Sequence, residues 1–321
     1  MGEYRKYSHW LYNITLYKVL TRDWQKAYSV IRTSLLTLEK LILLSILFLL
    51  QTAWKIINLP TDSFRSQTYK KKGEFDFMKL EYIFPKDIEK AKAEKWPLAI
   101  PVGTIEYHGP HCSFGCDTLV AYGLLERLEK EKNIIVAPPI WYSPSSYAVA
   151  GPEKGTIHVE SDVFEQYIYN ILKSLLYGGW RNIYLLIHHQ YEQENLLPMT
   201  LSCMKAAKKL TFEYLEDTRG KGWWGDNSNK EFYDQLDGQD NPWNWITVLP
   251  CMSKEVQNAT GYDHAGKWEC SILSALYPET VVKEYIKDSD EWFIQDAIES
   301  STEIGENMVS LCLEDLKNKI K

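Results

Sequence analysis

From Met78 onward the chain alternates short, wholly apolar runs with amphipathic stretches, and this alternation restricts the fold more than any other feature. An apolar run without polar interruption suits a strand covered on both faces, the condition of a parallel sheet held between helical layers. The candidate strands are Leu98 to Val102, Ile134 to Ala137, Ile183 to His188 and Ile246 to Leu249. The candidate helices are Pro85 to Lys95, Asp117 to Lys130, Val163 to Leu176, Leu197 to Lys209 and one within Asp290 to Lys319. Strands separated by helices in this order predict βαβ units, hence an α/β fold with a mostly parallel sheet flanked by helices on both faces. Asp117 stands where an N-cap is wanted. In the helix that it opens, Leu119, Val120, Leu124, Leu125 and Leu128 form a stripe at three- and four-residue spacing, which predicts packing on the sheet.

The first 77 residues have a different character and divide the chain into a leader, 1–77, and a folded domain, 78–321. Between Lys40 and Lys55 run 14 uncharged residues, Leu41 to Trp54. A bilayer span takes about 20 apolar residues, so this helix is short for one. Three readings stay open: a membrane anchor making contact through residues 41–54, an interfacial or partner-binding helix, and a non-native leader. Its distance from Met1 argues against an ordinary signal peptide. The stretch Pro60 to Gly73 is polar, ends in a lysine triplet and reads as a basic linker.

Charge and cysteine content narrow the partners. The 36 Lys and Arg against 43 Asp and Glu give a net charge of -7, and no clustered basic face is evident, so nucleic acid is not expected and a small-molecule substrate is. The six cysteines, Cys112, Cys116, Cys203, Cys251, Cys270 and Cys312, form no CxxC pair. They read as reduced thiols of a cytoplasmic protein.

Histidine is the informative residue: five of the seven fall in three short segments. The first, PVGTIEYHGPHCSFGCDT (Pro101 to Thr118), runs from a strand into a Gly/Pro-rich loop carrying Glu106, His108, His111 and Asp117. Oxygen and imidazole donors gathered there suit a divalent ion such as Zn²⁺ or Mn²⁺. A polar loop with a capping aspartate would use the same residues. In the second, GGWRNIYLLIHHQYEQEN (Gly178 to Asn195), a buried strand emerges as His188-His189. It emerges at the carboxyl end, where open α/β sheets place ligands. Strand alternation sends one imidazole to each face, so one of the two is expected at a given site. The third, GYDHAGKWECSIL (Gly261 to Leu273), sets His264 and Glu269 on either side of a small-residue turn, which serves equally as a site edge or a helix start.

Together the three segments resemble the creatininase family of metal-dependent amidohydrolases. Pro101, Gly103, Glu106, His108, Gly109, Pro110, His111, Asp117 and Thr118 match that family's first loop, and Gly155-Thr156-Ile157 is similar to a further short stretch. His264, Ala265, Gly266 and Glu269 match its third turn, with Cys270 in place of a hydroxyl residue. In the second segment a gapless count puts the ligand histidine at His189, while Ile187 and His188 stand where Asn and Gly are common. The other register would use Gln190 and Glu192. The resemblance implies α/β/α layers and two divalent ions, Zn or Mn before Fe. Glu106 and His189 would hold one ion, His108 and Glu269 the other, and Asp117 would bridge them. It also implies a shared water made acidic by both metals, proton delivery by His264, a supporting or substrate contact from His111, and a homo-oligomer. Among the family's reactions, hydrolysis of a small cyclic amide is the first expectation and ring opening of an oxidised cyclic polyol the second. A tethered noncatalytic ligand-binding domain is less favoured because every ligand position is filled, and no G-x-G-x-x-G turn supports a nucleotide enzyme. Trp223, Trp224, Trp243 and Trp245 lie in an irregular stretch that could wall the pocket or pack beneath a long loop.

Overall fold

Four parallel strands form one sheet in the order β2-β1-β3-β4: β1 (Leu98–Val102), β2 (Ile135–Val136), β3 (Ile183–Ile187) and β4 (Ile246–Pro250). The computed structural model describes residues 78–321 apart from 190–196, 233, 235 and 237. The leader with Leu41 to Trp54, and the alternative ligands Gln190 and Glu192, lie outside the described residues. Among those described, no helix is long and apolar enough to cross a membrane.

Strands β1, β2 and β3 are buried along their whole length and apolar apart from the phenol of Tyr184, because both faces are covered, whereas β4 at the sheet edge carries Thr247 and is only partly buried. Leu98, Ile100 and Val102 of β1 and Ile183, Leu185 and Ile187 of β3 face one apolar cluster. Ala99, Tyr184 and Leu186, one residue out of phase, face the other. The first cluster is closed by α1 (Pro85–Ala93), α3 (Ser161–Tyr177) and α4 (Pro198–Arg219). The second is closed by α2 (Cys116–Leu128), α6 (Lys267–Leu276) and α7 (Thr302–Lys319), with the short α5 (Lys254–Ala259) at its edge. The expected class, α/β with a mostly parallel sheet between helical layers, is the one observed.

The differences lie at element ends. Helix α4 runs ten residues past Lys209 because Leu210 and Leu215 continue its buried stripe, and it stops where Gly220 takes a φ of 86°. The segment from Asp290 forms a 3-10 stretch, Trp292–Glu299, before α7 begins under the Ser301 cap, whose hydroxyl accepts from Ile304 N. Asp117 is not the N-cap of α2. Gly115 holds that place without a side-chain cap, and Asp117 lies inside the first turn, buried.

The strand-to-helix approach that builds the site depends on Gly103. A Cβ there would sit 2.3 Å from Thr118 N and 2.5 Å from its Cα, so the exit of β1 can touch the start of α2 only with a glycine. Thr118 Oγ1 then donates to Thr104 O across the contact.

Candidate metal centre

The three segments meet at the carboxyl ends of β1 and β3. Glu106, His108, Asp117, His189 and Glu269 are all buried and share one focus, although 163 positions separate the first from the last. Glu106, Asp117 and His189 offer ligand atoms that lie within 4.8 Å of one another; so do Asp117, His188 and Glu269, and so do His108, Cys116 and Glu269. His189 Nδ1 is 3.2 Å from Glu106 Oε2 and 3.3 Å from Asp117 Oδ2, while its Nε2 lies 3.1 Å from Ser145 O. His108 Nδ1 is 3.0 Å from Glu106 O, a contact that makes Nδ1 the protonated nitrogen and turns the Nε2 lone pair toward Asp117 Oδ1 at 3.8 Å and Glu269 Oε2 at 3.5 Å.

His188 belongs here as well, contrary to the strand-alternation expectation. Its Nε2 lies 3.1 Å from Glu269 Oε1. The ladder persists as far as His188 N, which donates to Val102 O, but His189 has a φ of 157° instead of the roughly −120° of a parallel strand. With the backbone turned between them, both imidazoles reach the same group of carboxylates.

Glu269 is aimed by the turn before it. Ala265 N donates to Glu269 Oε2 at 2.7 Å, and the Asp263 carboxylate accepts from Trp268 N and Glu269 N at the start of α6. Burial pushes the Asp263 carboxyl up to about 6 despite those two N–H donors. His264 lines the cavity, its Nε2 is 3.1 Å from Tyr107 O, and its ring lies 4.3 Å from that of His108. His111 sits elsewhere: fully behind the turn, with Nε2 3.0 Å from Ala265 O and 3.2 Å from Cys270 Sγ. Burial holds its pKa below the ordinary histidine value, so it is a neutral donor to the turn. The structure does not bring it to the cavity wall.

Burial of three carboxylates side by side requires positive charge. Burial alone would lower the pKa of His108 and His189, yet the carboxylates of Glu269, Asp117 and Glu106 raise that of His108, and those of Asp117 and Glu106 raise that of His189. Burial likewise opposes ionisation of Asp117 and Glu269, and the neighbouring imidazoles hold both below the usual carboxylate range. Even so, among the described residues the buried His108 Nε2 has no hydrogen-bond partner, and Asp117 Oδ2 has only the 3.3 Å approach of His189 Nδ1. Buried polar atoms left unpaired cost about 1–3 kcal/mol each. Imidazole and carboxylate donors with orphaned lone pairs fit divalent cations of the zinc and manganese type.

Beside these groups opens a cavity of about 190 Å³, small against the roughly 300 Å³ lower bound of drug-sized pockets. Ile187, Met252 and Val149 supply its apolar wall, and Gln257, Tyr262 and Asp263 join the histidines and carboxylates on the polar side. None of the four clustered tryptophans lines it. Trp245 immediately precedes β4, at the amino end of the sheet, and Trp223 and Trp243 pack on the same apolar cluster as it does. Packing against that cluster, not a pocket wall, is the setting of Trp223, Trp243 and Trp245, while Trp224 is exposed.

A family model described as creatininase, creatinine amidohydrolase, matches residues 82–313. The chain belongs to the creatininase family. It is 28% identical over 197 residues to the 3-dehydro-scyllo-inosose hydrolase of Thermotoga maritima, an alignment covering 60% of this chain and 54% of that one. The chain thus matches about half the length of that relative. It is 23% identical over 198 residues to the creatinine amidohydrolase of Pseudomonas putida, covering 60% of this chain and 68% of that one. A crystal structure of creatinine amidohydrolase superposes with a TM-score of 0.56 at 19% identity, over 77% of this chain and 99% of the other, which shows the shared fold. Solved creatininases of the same likeness include a Zn-Zn form and a manganese form.

Proposed function

We propose that this chain is a dinuclear metal-dependent hydrolase that opens a small cyclic amide by attack of water on its carbonyl carbon. The observation carrying this reading is the shared focus of Glu106, His108, Asp117, His189 and Glu269, among which the buried His108 Nε2 has no hydrogen-bond partner among the described residues. Glu106 and His189 would hold one cation, His108 and Glu269 the second, with Asp117 between them and His188 either steadying Glu269 or joining it. When bound, the pair supplies an activated water and polarises the carbonyl.

The chain's own groups do the rest. His108 is held in one tautomer by Glu106 O, and Glu269 is held by Ala265 N and His188, so the donor set is formed before a ligand arrives. Tyr107 O fixes the His264 ring at the cavity wall and engages Nε2, leaving Nδ1 as the atom at which a proton is exchanged with the leaving nitrogen. Gln257, Tyr262 and Asp263 offer polar contacts to a small ring.

A second reading, ring opening of a cyclic polyol ketone with C–C cleavage, is favoured by the inosose hydrolase relative and by a cavity wall without tryptophan among the described residues. Both readings are tested by assaying the purified full chain, loaded with Zn²⁺ or Mn²⁺, on creatinine-like cyclic amides and on inositol-derived ketones. Turnover of the amides supports the first choice. Turnover of the ketones alone overturns the choice of bond, and inertness toward both overturns the cyclic-substrate reading.

A further inference from the structure

We infer that Cys116 is a sulfur donor to the subsite formed by His108 and Glu269, and that it makes this subsite select a thiophilic divalent ion such as Zn²⁺ over Mn²⁺ or Mg²⁺. The inference rests on the metal centre proposed above and goes further, because none of the three histidine-bearing segments signals the thiol as a ligand. His108 Nε2, Cys116 Sγ and a carboxylate oxygen of Glu269 lie within 4.8 Å of one another, and all three residues are buried. The second, independent observation is that His108 Nε2 has no hydrogen-bond partner among the described residues while its Nδ1 is engaged by Glu106 O. An imidazole locked with its lone pair toward a thiol and a carboxylate is an assembled ligand set.

The chain geometry explains why the sulfur is there. Cys116 is the first residue of α2 and Asp117 the second, so the helix start that brings the aspartate into the centre brings the thiol with it. The two subsites consequently differ in chemistry. Glu106, Asp117 and His189 offer only oxygen and nitrogen, donors that suit Mn²⁺, Mg²⁺ and Zn²⁺ alike, whereas a set with sulfur favours Zn²⁺ over the harder ions. Binding is a ligand exchange in which the S–H proton leaves to solvent and a sulfur lone pair takes its place on the cation, with no change of oxidation state. Cys270 Sγ lies 3.2 Å from His111 Nε2 and 3.4 Å from Ala265 O, and Cys112, 3.9 Å from Ser113 O, also touches the thiols of Cys116 and Cys270. Neither belongs to a group of candidate metal ligands among the described residues, so Cys270 serves as the distant control and Cys112 as the adjacent one.

The test strips the full chain with a chelator and reloads it with Co²⁺, measuring cobalt content by elemental analysis and absorbance in the near ultraviolet and visible. A sulfur-to-cobalt charge-transfer band is expected in the wild type and in Cys112→Ser and Cys270→Ser, and is expected to vanish in Cys116→Ser. In equilibration against equal Zn²⁺ and Mn²⁺, the Zn-over-Mn preference of Cys116→Ser should fall about 10-fold or more, since even changes outside the ligand shell cost about that much affinity. Should Cys116→Ser fail to fold, Cys116→Ala is read in its place, and a wild-type band that persists when each of the other five cysteines is replaced by serine assigns the sulfur to Cys116. Bound cobalt with visible bands but no charge-transfer band, or a band that survives in Cys116→Ser, overturns the role of Cys116 and leaves the metal centre standing. Absence of cobalt uptake overturns both.

Discussion

Replacing Gly103 by alanine probes the mechanical basis of the site, because the substitution touches none of the proposed ligands. The new methyl carbon would lie 2.3 Å from Thr118 N and 2.5 Å from Thr118 Cα, where ordinary contact begins near 3.4 Å. The neighbouring atoms are backbone and cannot rotate away, so β1 and α2 must separate by about 1 Å. Overpacking of this kind costs about 1–3 kcal/mol, and the backbone contact places it at the upper end. In a domain of this size that corresponds to a fall of about 4–12 °C in Tm. The same separation moves Glu106 and His108, carried by the β1 loop, away from Asp117 on α2. A misplacement of about 1 Å is worth up to about 10²-fold in rate. Thermal melts, metal content and turnover of Gly103→Ala measured together are the assay. If the variant melts with the wild type, binds its full metal complement and keeps its rate, the close approach does not position the centre and the reasoning fails.

Other substitutions separate the site from its surroundings. Trp245→Ala should lose about 3–5 kcal/mol in urea unfolding, as removal of a buried aromatic does, yet leave kcat/KM of the folded enzyme within twofold; a large loss of rate in protein that still melts cooperatively would return the tryptophans to the substrate pocket. Lys79 is buried and donates to Tyr122 OH at 2.6 Å and to Glu126 Oε1 at 2.5 Å. Burial would lower its pKa, but Glu126 and Tyr122 raise it above 10.5. The folded state therefore holds that proton more tightly than the unfolded state, and the stabilisation is present below pH 10.5 and lost as pH rises through the folded value. Lys79→Met should accordingly cost about 1–3 kcal/mol at pH 8, with the gap to wild type narrowing in unfolding curves as pH rises past 10.5; a pH-independent gap would contradict the assignment. His188→Asn should weaken retention of the second cation about 10- to 100-fold if His188 holds Glu269 in place, and unchanged metal affinity would show that Ala265 N suffices.

How far the sequence carries depends on whether a feature is local or set by topology. The inner strands were readable because they are apolar on both faces, and Ile183–Ile187 announces a central parallel strand by composition alone. The three ligand-bearing segments were readable as a pattern, since rare residue types recur at strand ends. Asp117 was misread as a cap because an aspartate near a helix start is usually one, and only the position of Gly115 shows that the helix begins earlier. The tryptophans were left between a pocket wall and packing under a loop although the information to choose was available: in a parallel sheet, residues just before a strand lie at the amino end, opposite the ligands. His188 was not readable, because its inclusion follows from a backbone turn at His189 that no periodicity encodes. Cys116 was not readable either, since a thiol between a glycine and an aspartate looks like any buried cysteine until the third segment is folded against it.

Elemental analysis of Asp117→Ala beside the wild type tests the central claim most directly. Two divalent ions per wild-type chain and none in the variant are the predicted result, because the aspartate stands within both groups of donors. A variant that keeps its full complement, or a wild type that binds no ion, would contradict it.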